Sequence, residues 1–181
     1  MTSFGRETGV LVDASVVFFC FSLWLVVAGQ DWLWVSVVVF VVMVGALTQV
    51  VRRLVRRRHE LTCPRWLTVL ATLTFGLYLG WSSVAVFANV AAALISSGVS
   101  PASEWWQFVV LAAAVVFTLV VMRIVRGTLG FAAGVVWDLV AIAIGASQRD
   151  STMLSVTAAV AVVVVVAAAF AQSRQRIKIR A

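Results

Sequence analysis

One stretch of the sequence carries hydrogen-bonding side chains inside a long apolar run, residues 66–95. Such side chains are costly inside a bilayer unless they find partners. At about 100° per residue, four residues share one stripe of a helix, and Trp81 lies about 60° to one side of it. The members of the stripe are Tyr78, Ser82, Ala85 and Asn89. A small residue between a phenol and an amide predicts either a binding notch with polar ends or a face for helix packing.

A second candidate is Asp138, an acidic residue near the middle of an apolar segment and next to Trp137. An ionised carboxylate at that depth costs about 2.5–3.5 kcal/mol on insertion scales, so the group needs a proton, a partner or water. Two interpretations remain open. Asp138 contacts a ligand or a proton, or it hydrogen-bonds a neighbouring helix and locks the bundle.

No set of residues has the composition or spacing of a catalytic or metal site. The single histidine, His59, lies in an arginine-rich run, while Cys20 lies in an apolar segment and Cys63 in a basic loop. These positions do not match a metal site or a disulfide framework. The sequence therefore predicts a protein that is not an enzyme and has no metal site.

The composition defines the elements that must position these side chains. Hydrophobic residues make up 63% of the 181 residues and charged residues 12%, against about 45–50% and about 25% in soluble domains. The chain is predicted to be an all-α polytopic membrane bundle with six transmembrane helices, because six segments are long and apolar enough to cross a bilayer. The predicted spans are residues 11–28, 32–51, 66–95, 105–125, 129–146 and 153–171.

The basic residues predict the orientation of these spans. Every arginine and lysine except Arg149 falls on the side that holds both termini, which is the cytoplasmic side by the positive-inside rule. Residues 1–10 and the basic tail 172–181 are accordingly predicted to be cytoplasmic in the cell membrane. The placement of the charges favours contact with membrane lipids and excludes nucleic acid as a partner. Whether the first span is cleaved as a signal peptide stays open.

Small residues in the fifth span form a Gly-x-x-x-Gly motif from Gly130 to Gly134. This spacing is typical of helices that approach one another closely. The motif predicts a contact with another membrane protein or with a second copy of the chain.

The third span also resembles a known family. Its sequence Tyr78-Leu79-Gly80-Trp81, followed by Ala85 and Asn89, resembles the last core helix of the TspO/MBR family, the tryptophan-rich sensory proteins. The proline-containing signatures of the family's first two helices are absent, since the chain has only Pro64 and Pro101. The resemblance therefore implies a divergent branch that lacks those two helices and has further helices after the shared core.

The resemblance implies a function in sensing or transport, with a bulky apolar ligand such as a tetrapyrrole or a lipid. We expect this ligand to lie against the stripe of the third span. Deep aromatic side chains with a few convergent polar groups are the usual components of a pocket. Three residues of other spans are expected to close the site: Trp24, Trp137 and Asp138.

Two other functions fit the same sequence. The protein could be a non-catalytic accessory subunit that docks through its small-residue helix faces. It could also be a small proton-coupled transporter that uses Asp138.

Overall fold

The computed structural model describes residues 4–56, 64–126 and 128–178. Arg57, Arg58, His59 and Cys63 of the basic loop, like the end of the basic tail, lie outside the described residues. The described chain forms six α-helices, each long and apolar enough to cross a membrane, which confirms the predicted fold class. The helices are α1 (Phe4–Gly29), α2 (Leu33–Arg56), α3 (Arg65–Ser96), α4 (Trp105–Ile124), α5 (Leu129–Ser147) and α6 (Thr152–Lys178).

Helices form throughout because an α-helix satisfies its own backbone hydrogen bonds, which a bilayer cannot do. Even the valine-rich α6 is helical, although β-branched residues are mediocre helix formers in water. Three tight connections each contain one non-glycine residue in the left-handed region, which is sparsely populated by residues other than glycine and asparagine or aspartate. These residues are Asp31 (φ 56°), Arg126 (φ 58°) and Asp150 (φ 59°).

Helix α3 is the centre of the bundle. It packs most extensively against α5 and α2, and less extensively against α4. Helix α1 packs on α2, and α6 packs on α5 and α4. No Cα atoms of α1 and α3 approach within 8 Å of each other, so α1 is attached at the edge of the bundle through α2.

The contact between α3 and α5 is made by glycines on both helices. A methyl group added at Gly80 would collide with the Phe131 carbonyl oxygen and lie 2.9 Å from the Val135 nitrogen. One added at Gly134 would collide with the Leu77 carbonyl oxygen. The two backbones therefore touch directly, without side chains between them.

A second glycine on each helix extends this contact by one turn. Gly76 precedes Gly80 by four residues on α3, and Gly130 precedes Gly134 by four on α5. An added methyl group would lie 3.1 Å from the Phe131 nitrogen at Gly76, and would collide with the Leu73 carbonyl oxygen at Gly130. The Gly-x-x-x-Gly motif of α5 thus meets a second such motif on α3 of the same chain. The glycines of α5 therefore pack against α3 of the same chain. A partner protein would have to contact another surface of the bundle.

Polar side chains connect the helix ends and loops. The Trp34 indole nitrogen at the start of α2 donates to Ser97 Oγ at 3.0 Å, and the Ser151 hydroxyl donates to Glu104 Oε1 at 2.6 Å. Near the other end of α2, Arg53 Nη1 lies 2.9 Å from Asp13 Oδ2 of α1. This ion pair joins the peripheral helix α1 to α2.

Replacing Gly80 by alanine should destabilise the bundle by about 1–3 kcal/mol, the usual cost of an over-packed contact. Gly45 of α2 provides the matched control, because nothing lies within 4 Å of a methyl group added there. Unfolding of the purified protein in mixed micelles of increasing SDS content measures both variants. Equal unfolding midpoints for Gly80→Ala and Gly45→Ala would contradict the close approach of α3 and α5.

Candidate functional site

Five aromatic side chains from three helices meet between α1, α2 and α3. They are Phe21 and Trp24 of α1, Phe40 of α2, and Tyr78 and Trp81 of α3. Each ring contacts the next at a centroid distance between 5.2 and 6.0 Å, and the Phe21–Tyr78 contact closes the series. We call this closed series the aromatic circuit. Aromatic pairs at such distances contribute about 0.5–1.5 kcal/mol each beyond the area that they bury.

The aromatic circuit spans a gap in the backbone packing. Helices α1 and α3 do not approach each other at the level of Cα atoms, yet Phe21 and Tyr78 are in edge-to-face contact at 6.0 Å. Phe40 of α2 is fully buried and contacts an indole on each side, Trp24 at 5.2 Å and Trp81 at 6.0 Å. Side chains therefore join α1 to α3 where the two backbones stay apart. Phe40 of α2 packs between the two indoles.

Two neutral polar groups on these helices have no hydrogen-bond partner among the described residues. One is the indole nitrogen of Trp24, which is buried although its side chain is partly exposed. The other is the hydroxyl of Ser82, a residue that is 0% exposed. An unsatisfied buried donor costs about 1–3 kcal/mol. The hydrogen-bonding capacity of both groups is therefore unused by the described residues.

The other polar members of the stripe are satisfied within the protein. Ser36 of α2 donates its hydroxyl to Asn89 Oδ1 at 2.9 Å, and the Asn89 amide donates to the Ala85 carbonyl oxygen at 2.9 Å. The Tyr78 hydroxyl donates to Met43 Sδ at 3.3 Å, and a thioether is a weak acceptor. Asn89 thus joins α2 to α3, while the Tyr78 hydroxyl keeps much of its capacity for a stronger acceptor.

The space expected beside Ala85 is filled. Ala85 is 9% exposed and belongs to the buried core between the helices.

A shallow cavity of about 390 Å³ lies elsewhere, on the outer surface of α1. Its lining residues are Leu11, Val12, Ser15, Val16 and Phe19. Because a single helix forms it, this depression is a lipid-facing groove and not part of the aromatic circuit.

The structure does not bring Trp137 to the aromatic circuit. Its side chain is 73% exposed on the outer surface of α5. The reason is geometric: Val135 and Leu139 are buried, and residues two positions apart on a helix point about 160° away from each other. Asp138 is half-buried on the same helix. Of the three residues expected to close the site, only Trp24 belongs to the aromatic circuit, through Phe21 and Phe40.

The described residues bring no three histidine, cysteine, aspartate or glutamate side chains together in a group that could hold a metal ion. The groups of the aromatic circuit are five aromatic rings, the indole N–H of Trp24 and the phenol hydroxyl of Tyr78. Such an arrangement can hold an apolar molecule by ring contacts and orient it by one or two hydrogen bonds.

Comparison with known families is consistent with this architecture and covers nearly the whole chain. Residues 2–171 match the family model described as TSPO-like protein. The chain belongs to the TSPO-like protein family. No curated protein and no solved structure gives a significant match. In this TSPO-like protein the family match therefore extends well beyond the α3 motif that first indicated it, from α1 into α6.

Several residues at the candidate site of this TSPO-like protein were not found from the sequence. Phe21 could have been found, since it lies three residues before Trp24 and so on nearly the same face of α1. Phe40 and Met43 have no such signal, because they lie in an apolar run. Ser36 is equally inconspicuous. Only the antiparallel packing of α2 on α3 brings it to Asn89.

We expect Ser36 and Asn89 to be energetically coupled. Single and double alanine variants at the two positions should give a coupling energy of about 0.6 kcal/mol, the average for hydrogen bonds between membrane helices, because the 2.9 Å bond is lost in each variant. A double-mutant cycle of unfolding in mixed micelles measures this coupling energy. Ser22, whose hydroxyl donates to the Phe18 carbonyl within α1, supplies the control pairing. Additive effects of Ser36→Ala and Asn89→Ala would exclude a structural bond between them.

Proposed function

We propose that this TSPO-like protein binds a bulky apolar molecule, a tetrapyrrole or a lipid, between α1 and α3, for sensing or transport. The observation that carries the proposal is the buried indole nitrogen of Trp24 in the aromatic circuit, which has no partner among the described residues. A donor left open among aromatic rings is suited to a ligand that combines a large apolar body with an acceptor oxygen. Carboxylate, carbonyl and ester oxygens all meet that requirement.

The attachment of α1 supports binding at this position. Helix α1 reaches α3 through side chains such as Phe21 on Tyr78, while α2 and α5 each pack directly on α3. A ligand entering from the bilayer could separate Phe21 from Tyr78 without breaking backbone contacts. Phe21 and Tyr78 would then lose their contact with each other and gain contacts with the ligand. This exchange limits the free-energy cost of separating the two rings. Trp81 and Tyr78, stacked at 5.9 Å, would form the wall on the α3 side.

We further propose that the protein lies in the cell membrane with both termini in the cytoplasm. Six crossings return the chain to the side on which it began. Arg149, which follows α5, is the one basic residue on the opposite side under this arrangement. A charge distribution this uneven over short loops is the pattern that sets orientation during insertion.

Ligand titration tests the proposed site. Protoporphyrin IX and the fluorescent fatty acid cis-parinaric acid serve as probes for the protein in lipid nanodiscs. Trp24→Phe keeps a ring but removes the N–H, so affinity should fall about fivefold, the equivalent of one hydrogen bond of about 1 kcal/mol. Trp81→Ala removes a wall of the site, so affinity should fall roughly tenfold or more.

Trp105→Phe is the matched control, because Trp105 lies at the start of α4 and is 69% exposed. The Trp105→Phe variant should bind both probes with the same affinity as the unaltered protein. Absorbance and lipid mass spectrometry of the purified protein would identify a molecule that copurifies. Unchanged affinities for both probes in Trp24→Phe and Trp81→Ala would refute binding at the aromatic circuit.

A further inference from the structure

The contact between α3 and α5 opens beyond its glycines. Gly134 touches the backbone of α3, but Gly145, three turns later on nearly the same face of α5, does not. A methyl group added at Gly145 would have one neighbour within 4 Å among the described residues, the Arg149 side chain at 3.7 Å. Ala88 of α3 and Ala141 of α5, which follow the contact by two turns, are both exposed. The two helices therefore separate here and leave a cleft bordered by small residues.

This cleft opens toward the bilayer. Helices α3 and α5 run parallel, because Gly76 lies against Gly130 and Gly80 lies against Gly134. Leu77 and Trp137 are displaced from these facing glycines by about 60° in opposite senses, so they border the same side of the contact. Both side chains are exposed, Leu77 at 50% and Trp137 at 73%. Lipid tails therefore reach this side of the α3–α5 contact.

Asp138 lies at the inner end of the cleft. It is one turn beyond Gly134, rotated by about 40° from it, and half-buried. It is also the tenth of the 19 residues of α5, so it lies at the middle of the span. A carboxyl group at that depth needs a partner or a water-filled cavity. No described residue forms a hydrogen bond or an ion pair with it.

No positive charge of the described chain lies at that depth. The arginines lie near helix ends or in the connections between helices. Arg149 is 11 residues beyond Asp138, about 16 Å along the helix, and its Nε donates to the Gly145 carbonyl oxygen at 3.0 Å. Phospholipid ammonium groups lie about 15 Å from the bilayer centre, since the hydrocarbon core is roughly 30 Å thick. A cation that pairs with Asp138 must therefore belong to a molecule dissolved among the lipid tails.

The adjacent tryptophan is suited to the same kind of molecule. Trp32, Trp66 and Trp105 are also strongly exposed, but they lie at helix ends, where an indole N–H meets the polar interface. Trp137 is exposed at the middle of its span, where its ring is open to molecules in the bilayer. The face of an indole ring attracts a cation, and the attraction is stronger where water is excluded.

We propose that the cleft between α3 and α5 binds a lipophilic cation, an ammonium or phosphonium group carried on an apolar body. The Asp138 carboxylate pairs with the positive charge, and the Trp137 ring adds a cation–π contact at the rim. Ala88 and Ala141 leave room for the apolar body beside the two helices. This site is independent of the ligand proposed for the aromatic circuit.

Binding of tritiated tetraphenylphosphonium to the full-length protein in phosphatidylcholine nanodiscs tests the proposal, with empty nanodiscs as the background. We expect one saturable site per chain. Asp138→Asn keeps the shape of the side chain and removes its charge, so affinity should fall tenfold or more. Trp137→Leu removes the ring, so affinity should fall about threefold. Neutral triphenylphosphine oxide, which is similar in shape to the probe, should not displace it.

Matched variants away from the cleft provide the controls. Asp150→Asn alters an exposed acid after the end of α5, and Trp105→Leu alters an exposed tryptophan of α4. Both should leave the affinity for tetraphenylphosphonium unchanged. Replacing half of the phosphatidylcholine by phosphatidylethanolamine should also leave it unchanged, because lipid ammonium groups stay at the interface. Competition by phosphatidylethanolamine would assign the site to a lipid head group and overturn the proposal.

Chemical labelling tests the site in the unaltered protein, and so serves even if Asp138→Asn fails to fold. Dicyclohexylcarbodiimide reacts with carboxyl groups in apolar surroundings, and mass spectrometry locates the product. Saturating tetraphenylphosphonium should slow the labelling of Asp138, while triphenylphosphine oxide should not. Equal labelling of Asp138 with and without tetraphenylphosphonium would overturn the proposal. So would equal affinities of the unaltered protein and Asp138→Asn.

Discussion

The direct backbone contact between α3 and α5 is the constraint on which the bundle depends. Lipid tails are as apolar as the side chains, so packing must hold membrane helices together without a hydrophobic driving force. Glycines on both helices, Gly76 and Gly80 against Gly130 and Gly134, permit that packing. Because this contact uses one side of α3, the stripe that contains Asn89 is turned toward α2. The remaining side of α3 is left for α4.

This arrangement makes α1 different from the other helices. It packs on α2, to which the Asp13–Arg53 ion pair also joins it, and reaches α3 through side chains such as Phe21. The candidate site therefore lies between α3 at the centre of the bundle and α1 at its edge. Such a boundary suits a ligand that arrives through the bilayer, since room can be made by displacing side chains.

Hydrogen bonding separates the deep polar residues into two groups. Asn89 is satisfied by Ser36 and by its own helix, so it contributes to the stability of the α2–α3 pair. Trp24 and Asp138 find no such partners among the described residues. Unsatisfied groups at membrane depth are costly, which is why we assign the Trp24 indole to a ligand.

The sequence by itself determined the six helices, since apolar length and self-satisfied backbone hydrogen bonds are local properties of each segment. It also indicated the family, and it placed a tryptophan, a tyrosine and an amide together on α3. Tertiary structure decided which groups meet, because a helical pattern gives the direction of a side chain but not the neighbour that it faces. The Gly130–Gly134 motif was expected to contact a partner and instead contacts α3. That choice of neighbour turned Trp137 outward, while the packing of α1 on α2 brought Trp24 to the ring of Phe40.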